Sequence, residues 1–224
     1  MAPNGATKPL ILLISLNFEP FFDEMYATFF DELGQKATLM RAKQLQSALR
    51  LLLSEELRPQ AVLITDEALT DEKNLAVWEG VLEYVRQGGT SIVMGHFPSF
   101  VEPDDIKPFF SKAELPWEAG SCHRTTVVLN RRVVKHELAA LLPAKYSQKA
   151  LFVKNVAPAD AWYVTDERSI VESGTFRPIS AHKVGESPAV LARVGNGNLG
   201  YIGYVNAGEK SNAVILAMCG LSGC

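Results

Sequence analysis

Glu19 and His96 are the residues best suited to proton chemistry in this 224-residue chain, each placed shortly after an apolar run. A carboxylate near an imidazole orients the ring and favours its protonated form, giving a general base or acid that works near neutral pH. Asn17, Phe18, Asp66, Glu67 and Phe97 lie at the ends of the same runs and would share that edge with them. Phe18, Phe97 and Trp117 suit the apolar wall of a small-molecule pocket, with a few polar groups setting orientation. Cys122-His123 sets a thiol beside a base, a pairing that can ionise the sulfur. Neighbours on a strand point to opposite faces, however, so a buried cysteine and a surface histidine are the expected arrangement.

Other combinations carry less. His96, His123, His136 and His182 form no i, i+4 pair, and there is no Cys-x-x-Cys, so neither a metal nor a cofactor is expected. Gly195, Gly197 and Gly200 match the dinucleotide fingerprint by letter. That fingerprint needs a strand leading into a helix N-terminus, whereas Asn196-Gly197 between two apolar runs signals a hairpin. Phe21-Phe22, Phe29-Phe30 and Phe109-Phe110 should each place one ring in the core. The other ring is free to line a pocket or a subunit contact, which leaves a homo-oligomer open.

A net charge of -3 without a basic cluster argues against a nucleic-acid partner. The apolar run at 10–16 is too short to span a bilayer, so no membrane partner is expected. Cys122, Cys219 and Cys224 are an odd, sparse set, which fits reduced thiols in the cytoplasm.

These residues must be positioned by strands and helices that alternate through the first hundred positions. The continuous apolar run at 10–16 reads as a strand buried on both faces. Phe22, Tyr26, Phe29 and Leu33 make a helix stripe, with Gly34 placed to cap it. Strands are expected at 37–40, 61–65 and 90–94, with a helix on Leu45, Ala48, Leu49 and Leu52 reaching Arg58 before Pro59. A further helix, capped by Thr70 and closed by Gly88-Gly89, carries Leu75, Trp78, Leu82 and Val85.

Such alternation demands right-handed crossovers. The expected fold is therefore α/β: a flavodoxin-like three-layer arrangement with a mostly parallel sheet. In such sheets ligands bind outside the strand C-termini, which is where Glu19, Asp66 and His96 fall. Positions 103–187 lose the rhythm and read as an irregular elaboration within one domain spanning 1–224. Within it, a helix at 106–113, a strand at 125–129, short helical turns at 136–142 and weaker strands at 151–156 and 161–164 are expected, with 166–187 as loop. The chain closes with a hairpin at 189–194 and 199–205 and a helix begun by Ser211.

The hairpin from Pro188 to Val205, with its Gly-x-Gly-x-Leu-Gly-Tyr ending and a last helix, resembles the class I glutamine amidotransferase-like superfamily. The trehalose-utilisation and PfpI-like branches are among those it resembles. Gly88-Gly89-Thr90-Ser91-Ile92-Val93-Met94-Gly95 is similar to the passage that carries that superfamily's nucleophile. The resemblance implies a glutamate after the first strand facing the elbow residue, and Glu19 and His96 match those positions. It also implies a cysteine in the elbow and a histidine after the hairpin. This chain has His96 at the first and Asn206 at the second.

Without thiolate and base, acyl transfer from glutamine has no nucleophile. Three readings stay open: a small-molecule enzyme with hydrolase-like or lyase-like acid/base chemistry, a non-catalytic binding or regulatory module, and an accessory protein-interaction subunit. Incubated with glutamine, the protein should release no ammonia above a buffer blank, which a coupled glutamate dehydrogenase assay measures directly.

Overall fold

A computed structural model describes residues 8–54, 56–173, 177 and 179–222. The expected strand at 10–16 forms as β1 (Leu10–Ile14), and the first helix stripe divides at Tyr26 into α1 (Phe21–Met25) and α2 (Ala27–Lys36). Gly34 lies inside α2 and does not cap it. There follow β2 (Thr38–Ala42), α3 (Leu45–Leu52), β3 (Ala61–Ile64), α4 (Leu75–Arg86) and β4 (Thr90–Val93). α3 stops well before Arg58. Thr70 is not the cap residue of α4: it ends a 3-10 turn at Glu67–Thr70, whose Ala68 N–H donates to the Asp66 side chain.

The second half contains α5 (Phe97–Phe100), α6 (Pro103–Ser111), β5 (Glu118–Leu129), α7 (His136–Ala139), β6 (Lys145–Lys154), β7 (Ala161–Val164), β8 (Ala189–Val194), β9 (Gly197–Ile202) and α8 (Glu209–Met218). Gly208 is the cap residue of α8, and the Ser211 hydroxyl donates back to its carbonyl at 2.7 Å.

All of these strands join one mixed sheet in the order β2-β1-β3-β4-β9-β8-β7-β5-β6. The run β2-β1-β3-β4-β9 is parallel, and every pairing from β9 onward is antiparallel. The expectation of a mostly parallel sheet therefore holds only for the first part. Four later strands connect through short reversals and a long loop, without the covering helices that parallel crossovers need.

The strand side chains divide between two faces with period two. Leu12, Ile14, Val62 and Ile64 enter one core with Trp78, Val81 and Phe109 from α4 and α6. Ile11, Ala61 and Leu63 enter the other with Phe22, Phe29 and Leu33 from α1 and α2, and Val214 and Ile215 from α8.

Close backbone approaches lock the sheet where its halves meet. Gly197 starts β9 against the end of α4, where a Cβ would fall 2.1 Å from the Gly89 carbonyl oxygen. Here the glycine fingerprint lies in a hairpin turn, with Gly195 at a φ of +58°. Past β9, the chain at 203–206 runs against β6. Leu151 N–H donates to the Gly203 carbonyl at 2.8 Å, and Val205 N–H donates to Lys149 at 3.2 Å. A Cβ on Gly203 would fall 1.9 Å from the Leu151 carbonyl oxygen. Gly203→Ala should cost about 2–4 kcal/mol through this backbone clash, read as a lowered urea midpoint, with amide exchange rising first at 149–151 and 203–205.

Candidate functional site

The C-terminal ends of β1 and β3 are tied together by polar groups that have left water. Ser15 and Thr65 hydroxyls hydrogen-bond at 2.7 Å, and the Thr65 hydroxyl also donates to the Ile14 carbonyl at 3.1 Å. One residue further along, Asn17 N–H donates to Asp66 Oδ2 at 3.1 Å, and the Asn17 side-chain amide donates to Glu67 Oε1 at 2.8 Å. Asp66 Oδ1 accepts from Ala68 N–H at 3.2 Å.

Asp66 is only 3% exposed. Burial pushes its carboxyl up to about 7; the two backbone donors oppose that shift, and Glu67 adds to it. A carboxyl that is half-protonated near neutrality can give or take a proton, which an ordinary surface aspartate cannot do.

His96 stands beside this latch. After β4, Met94 N–H still donates to the Ile64 carbonyl at 2.9 Å, and the chain then turns sharply into α5. Gly95 makes the turn at a φ of +73°, where a Cβ would fall 2.8 Å from the Thr65 carbonyl oxygen. The left-handed position of this elbow is thus Gly95, which has no side chain, and His96 is the residue after it. His96 N–H donates to Thr65 O at 2.7 Å, which turns the imidazole beneath a cluster of phenyl rings. Phe21, Phe22 and Phe100 lie 4.7, 4.8 and 5.2 Å from it, centroid to centroid.

The His96 ring is buried, and among the described residues its Nε2 has no hydrogen-bond partner. Burial lowers its pKa, against the opposing pull of Glu67 and then Glu19. The imidazole is therefore neutral at physiological pH, with two carboxylates nearby to stabilise a proton once it arrives. Phe21 and Phe100 remain largely exposed and form a mouth over the ring.

The other expected residues separate. Glu19 is exposed at the rim and reaches His96 through its charge. Phe18 lies one strand over, with Lys43 Nζ 3.5 Å and the Arg41 guanidinium 5.1 Å from its ring centroid. Phe97 and Trp117 pack into the core and line no pocket at this edge. Phe97 meets Phe109 at 5.2 Å, and Trp117 meets Phe110 at 5.0 Å. A helix begins at Phe97 and rotates its side chain inward.

Cys122 and His123 reverse the expected burial. Cys122 is exposed, while His123 stacks on Phe152 at 5.1 Å with its Nε2 buried and unpartnered. A register shift in β5 between Ala119 and Cys122 changes which residue faces inward. Asn206 is exposed, and its carbonyl accepts from the Gln148 side chain at 2.7 Å. Cys219 is buried and its thiol is pushed up to about 12, while Cys224 lies outside the described residues. Among the described residues, no three His, Cys, Asp or Glu side chains converge as a metal site, and no helix is long and apolar enough to cross a membrane.

The residue pattern alone missed the weight of Glu67 and the role of Phe21 as an exposed partner of His96. The Phe21-Phe22 doublet was the available signal, and it divides as such doublets should: Phe22 is 2% exposed and Phe21 is 43% exposed.

This combination of a parallel β2-β1-β3-β4-β9 run, an antiparallel extension and a polar latch at the ends of β1 and β3 defines an α/β protein with a mixed sheet. Its fold is similar to that of ThuA-like proteins. A ThuA-like protein from Bacteroides uniformis matches with a TM-score of 0.59 and 14% identity, covering 96% of this chain and 93% of that one. A second, from Parabacteroides merdae, matches with a TM-score of 0.52 and 12% identity, covering 96% and 89%. A β-galactosidase from Rahnella sp. R3 matches with a TM-score of 0.56 and 12% identity; there the match covers 95% of this chain but 31% of the enzyme. No family model and no curated protein sequence matches the chain.

The two titrating groups of the edge pull stability in opposite directions. Asp66 holds its proton more tightly folded than unfolded, so its contribution is complete below about pH 4 and is lost as pH rises through about 7. His96, held neutral, costs stability as pH falls below the ordinary histidine value. Between pH 5 and 8, wild type should lose about 2–3 kcal/mol relative to Asp66→Asn, measured as the difference between their urea unfolding curves across that range.

Proposed function

We propose that this chain is a single amidotransferase-like domain without glutaminase chemistry. In this reading it binds a small molecule at the ends of β1, β3 and β4 and transfers a proton through His96. The observation that carries the reading is the His96 ring itself. Unsatisfied buried nitrogens are uncommon in native proteins and call for an explanation, and at His96, unlike at His123, exposed phenyl rings and two carboxylates surround the ring. The strand order β2-β1-β3-β4 supports a flavodoxin-like assignment, in which the connections reverse direction between β1 and β3 and open a ligand crevice there. Asn17, Asp66 and Glu67 stand at that reversal.

The chemistry follows from the surroundings. A substrate whose apolar part displaces Phe21 and Phe100 would bring a C–H or O–H group to Nε2. As the ring takes the proton, Glu67 and Glu19 stabilise the imidazolium, and the phenyl rings strengthen that attraction by excluding water. Asp66, near its midpoint at neutrality, can supply the return proton. Hydrolase-like and lyase-like reactions both need such an exchange, and it uses side chains alone. The free thiols of Cys122 and Cys219 suit a reducing, cytoplasmic setting.

The second reading, a binding module without turnover, is favoured by the packing of the Phe21 and Phe100 rings over His96, which covers the imidazole with apolar surface.

A thermal-shift screen of metabolites against wild type and His96→Phe tests the proposal. A compound at a hundred times its dissociation constant should raise Tm by roughly 5–10 °C. That shift should vanish in His96→Phe, whose ring fills the same space. Hits should then be consumed by wild type with a rate that holds through the ordinary histidine midpoint and falls only at more acidic pH, as the burial-lowered His96 protonates. Shifts that persist undiminished in His96→Phe would place binding elsewhere and end the proposal. Binding lost in the variant without turnover in wild type would select the second reading.

A further inference from the structure

A separate concavity opens in the antiparallel half, between β7 and the loop at 182–186, and encloses about 220 Å³. That is room for roughly seven liquid-water volumes. Val156, Pro158, Ala161 and Val164 give it apolar walls, and Val156 N–H holds the loop over it by donating to the Gly185 carbonyl at 3.0 Å.

Two of the lining side chains, Thr165 and His182, have hydrogen-bonding capacity to spare among the described residues. His182 Nδ1 lies 2.9 Å from the Thr165 carbonyl oxygen, which can only accept, so Nδ1 carries a proton and donates it. In the neutral ring Nε2 is then an acceptor. The same Nδ1 lies 3.3 Å from the Thr165 hydroxyl oxygen, and Lys183 N–H approaches that oxygen at 3.4 Å. Both neighbours are donors, so the Thr165 hydroxyl proton is left to give.

The charges at the cavity's margin are already matched to one another. Lys183 pairs with Glu186 at 3.5 Å and donates to the Ser121 hydroxyl at 2.7 Å, while Glu186 accepts from Ser121 N–H at 3.1 Å. Asn130, also at the wall, already donates to the Pro158 and Ala161 carbonyls and accepts from Arg132 N–H. The cavity therefore offers a visitor the His182 acceptor and the Thr165 donor beside an aliphatic wall, with no net charge. We infer that it is a second binding site, distinct from the edge at His96, for a small neutral molecule with a branched aliphatic body and an amide or hydroxyl head. The head donates to His182 Nε2 and accepts from the Thr165 hydroxyl. Pocket recognition by a mostly apolar wall and a few placed polar groups is the general pattern for such ligands.

Isobutyramide is a probe of that shape. Titrated into the full chain at pH 8, where histidine is ordinarily neutral, it should produce saturable changes in the backbone amide spectrum confined to 161–165 and 182–186. The dissociation constant should fall in the millimolar range expected for so few atoms. His182→Phe and Thr165→Val should each weaken binding about fivefold, and Val164→Phe should abolish it by filling the space. If Thr165→Val does not fold, His182→Phe decides, because that ring is only half-buried. The inference is overturned by the absence of saturable changes up to about 50 mM, or by changes spread evenly over the spectrum. It is equally overturned if Val164→Phe abolishes binding while His182→Phe leaves the affinity unchanged.

Discussion

Thr90–Val93 of β4 and the segment from Asn198 to Tyr201 of β9 pair in parallel, and both halves of the molecule depend on that seam. On one side lies a parallel unit built from the first hundred residues; on the other lies an antiparallel unit built from the last hundred. The two strands can approach only because glycine occupies Gly197, where the backbone of the α4 C-terminus and its Gly88-Gly89 turn leave no room for a side chain. Asn196 and Asn198 N–H groups fasten the same contact by donating to the Arg86 and Gly89 carbonyls at 3.0 Å. The turn that ends α4 is thus also the anchor of the final hairpin.

The edge at β1, β3 and β4 is organised by desolvation more than by charge pairing. Asp66 and His96 are titratable groups withdrawn from water just past the ends of the neighbouring strands β3 and β4, and each is driven to its uncharged form, one by gaining a proton and the other by losing it. The acidic side chains outside, Glu19 and Glu67, then set the direction in which charge is easiest to develop.

Much of the parallel half was legible in the sequence because its signals are local. Runs such as Leu10–Ile14 and Ala61–Ile64 are buried on both faces and need no partner to be recognised. The antiparallel half was not. The first part of β5 and the start of β6 carry Ser121, Cys122, Ser147, Gln148 and Lys149, a polar surface whose strand character comes from its neighbours and not from its own period. The site divides in the same way. The strand-end rule located Asn17, Asp66 and His96, since it depends only on where a strand stops. Whether a residue just past that point turns inward, as Phe97 does, or pairs with a distant strand, as the chain at Asn206 does, depends on elements fifty to a hundred positions away.

The seam between β4 and β9 also sets the order of events as the chain leaves the ribosome. The hydrogen-bonded side chains of Thr90 and Asn198 are 108 residues apart. At roughly 5–20 residues per second, the free edge of β4 waits about 5–20 s for its partner to be synthesised. During that time a nearly complete parallel sheet presents an unpaired apolar strand, the kind of surface that seeks another chain. The nascent chain is therefore most exposed to misassociation between the synthesis of β4 and that of β9, and its need for chaperone cover should be concentrated in that interval.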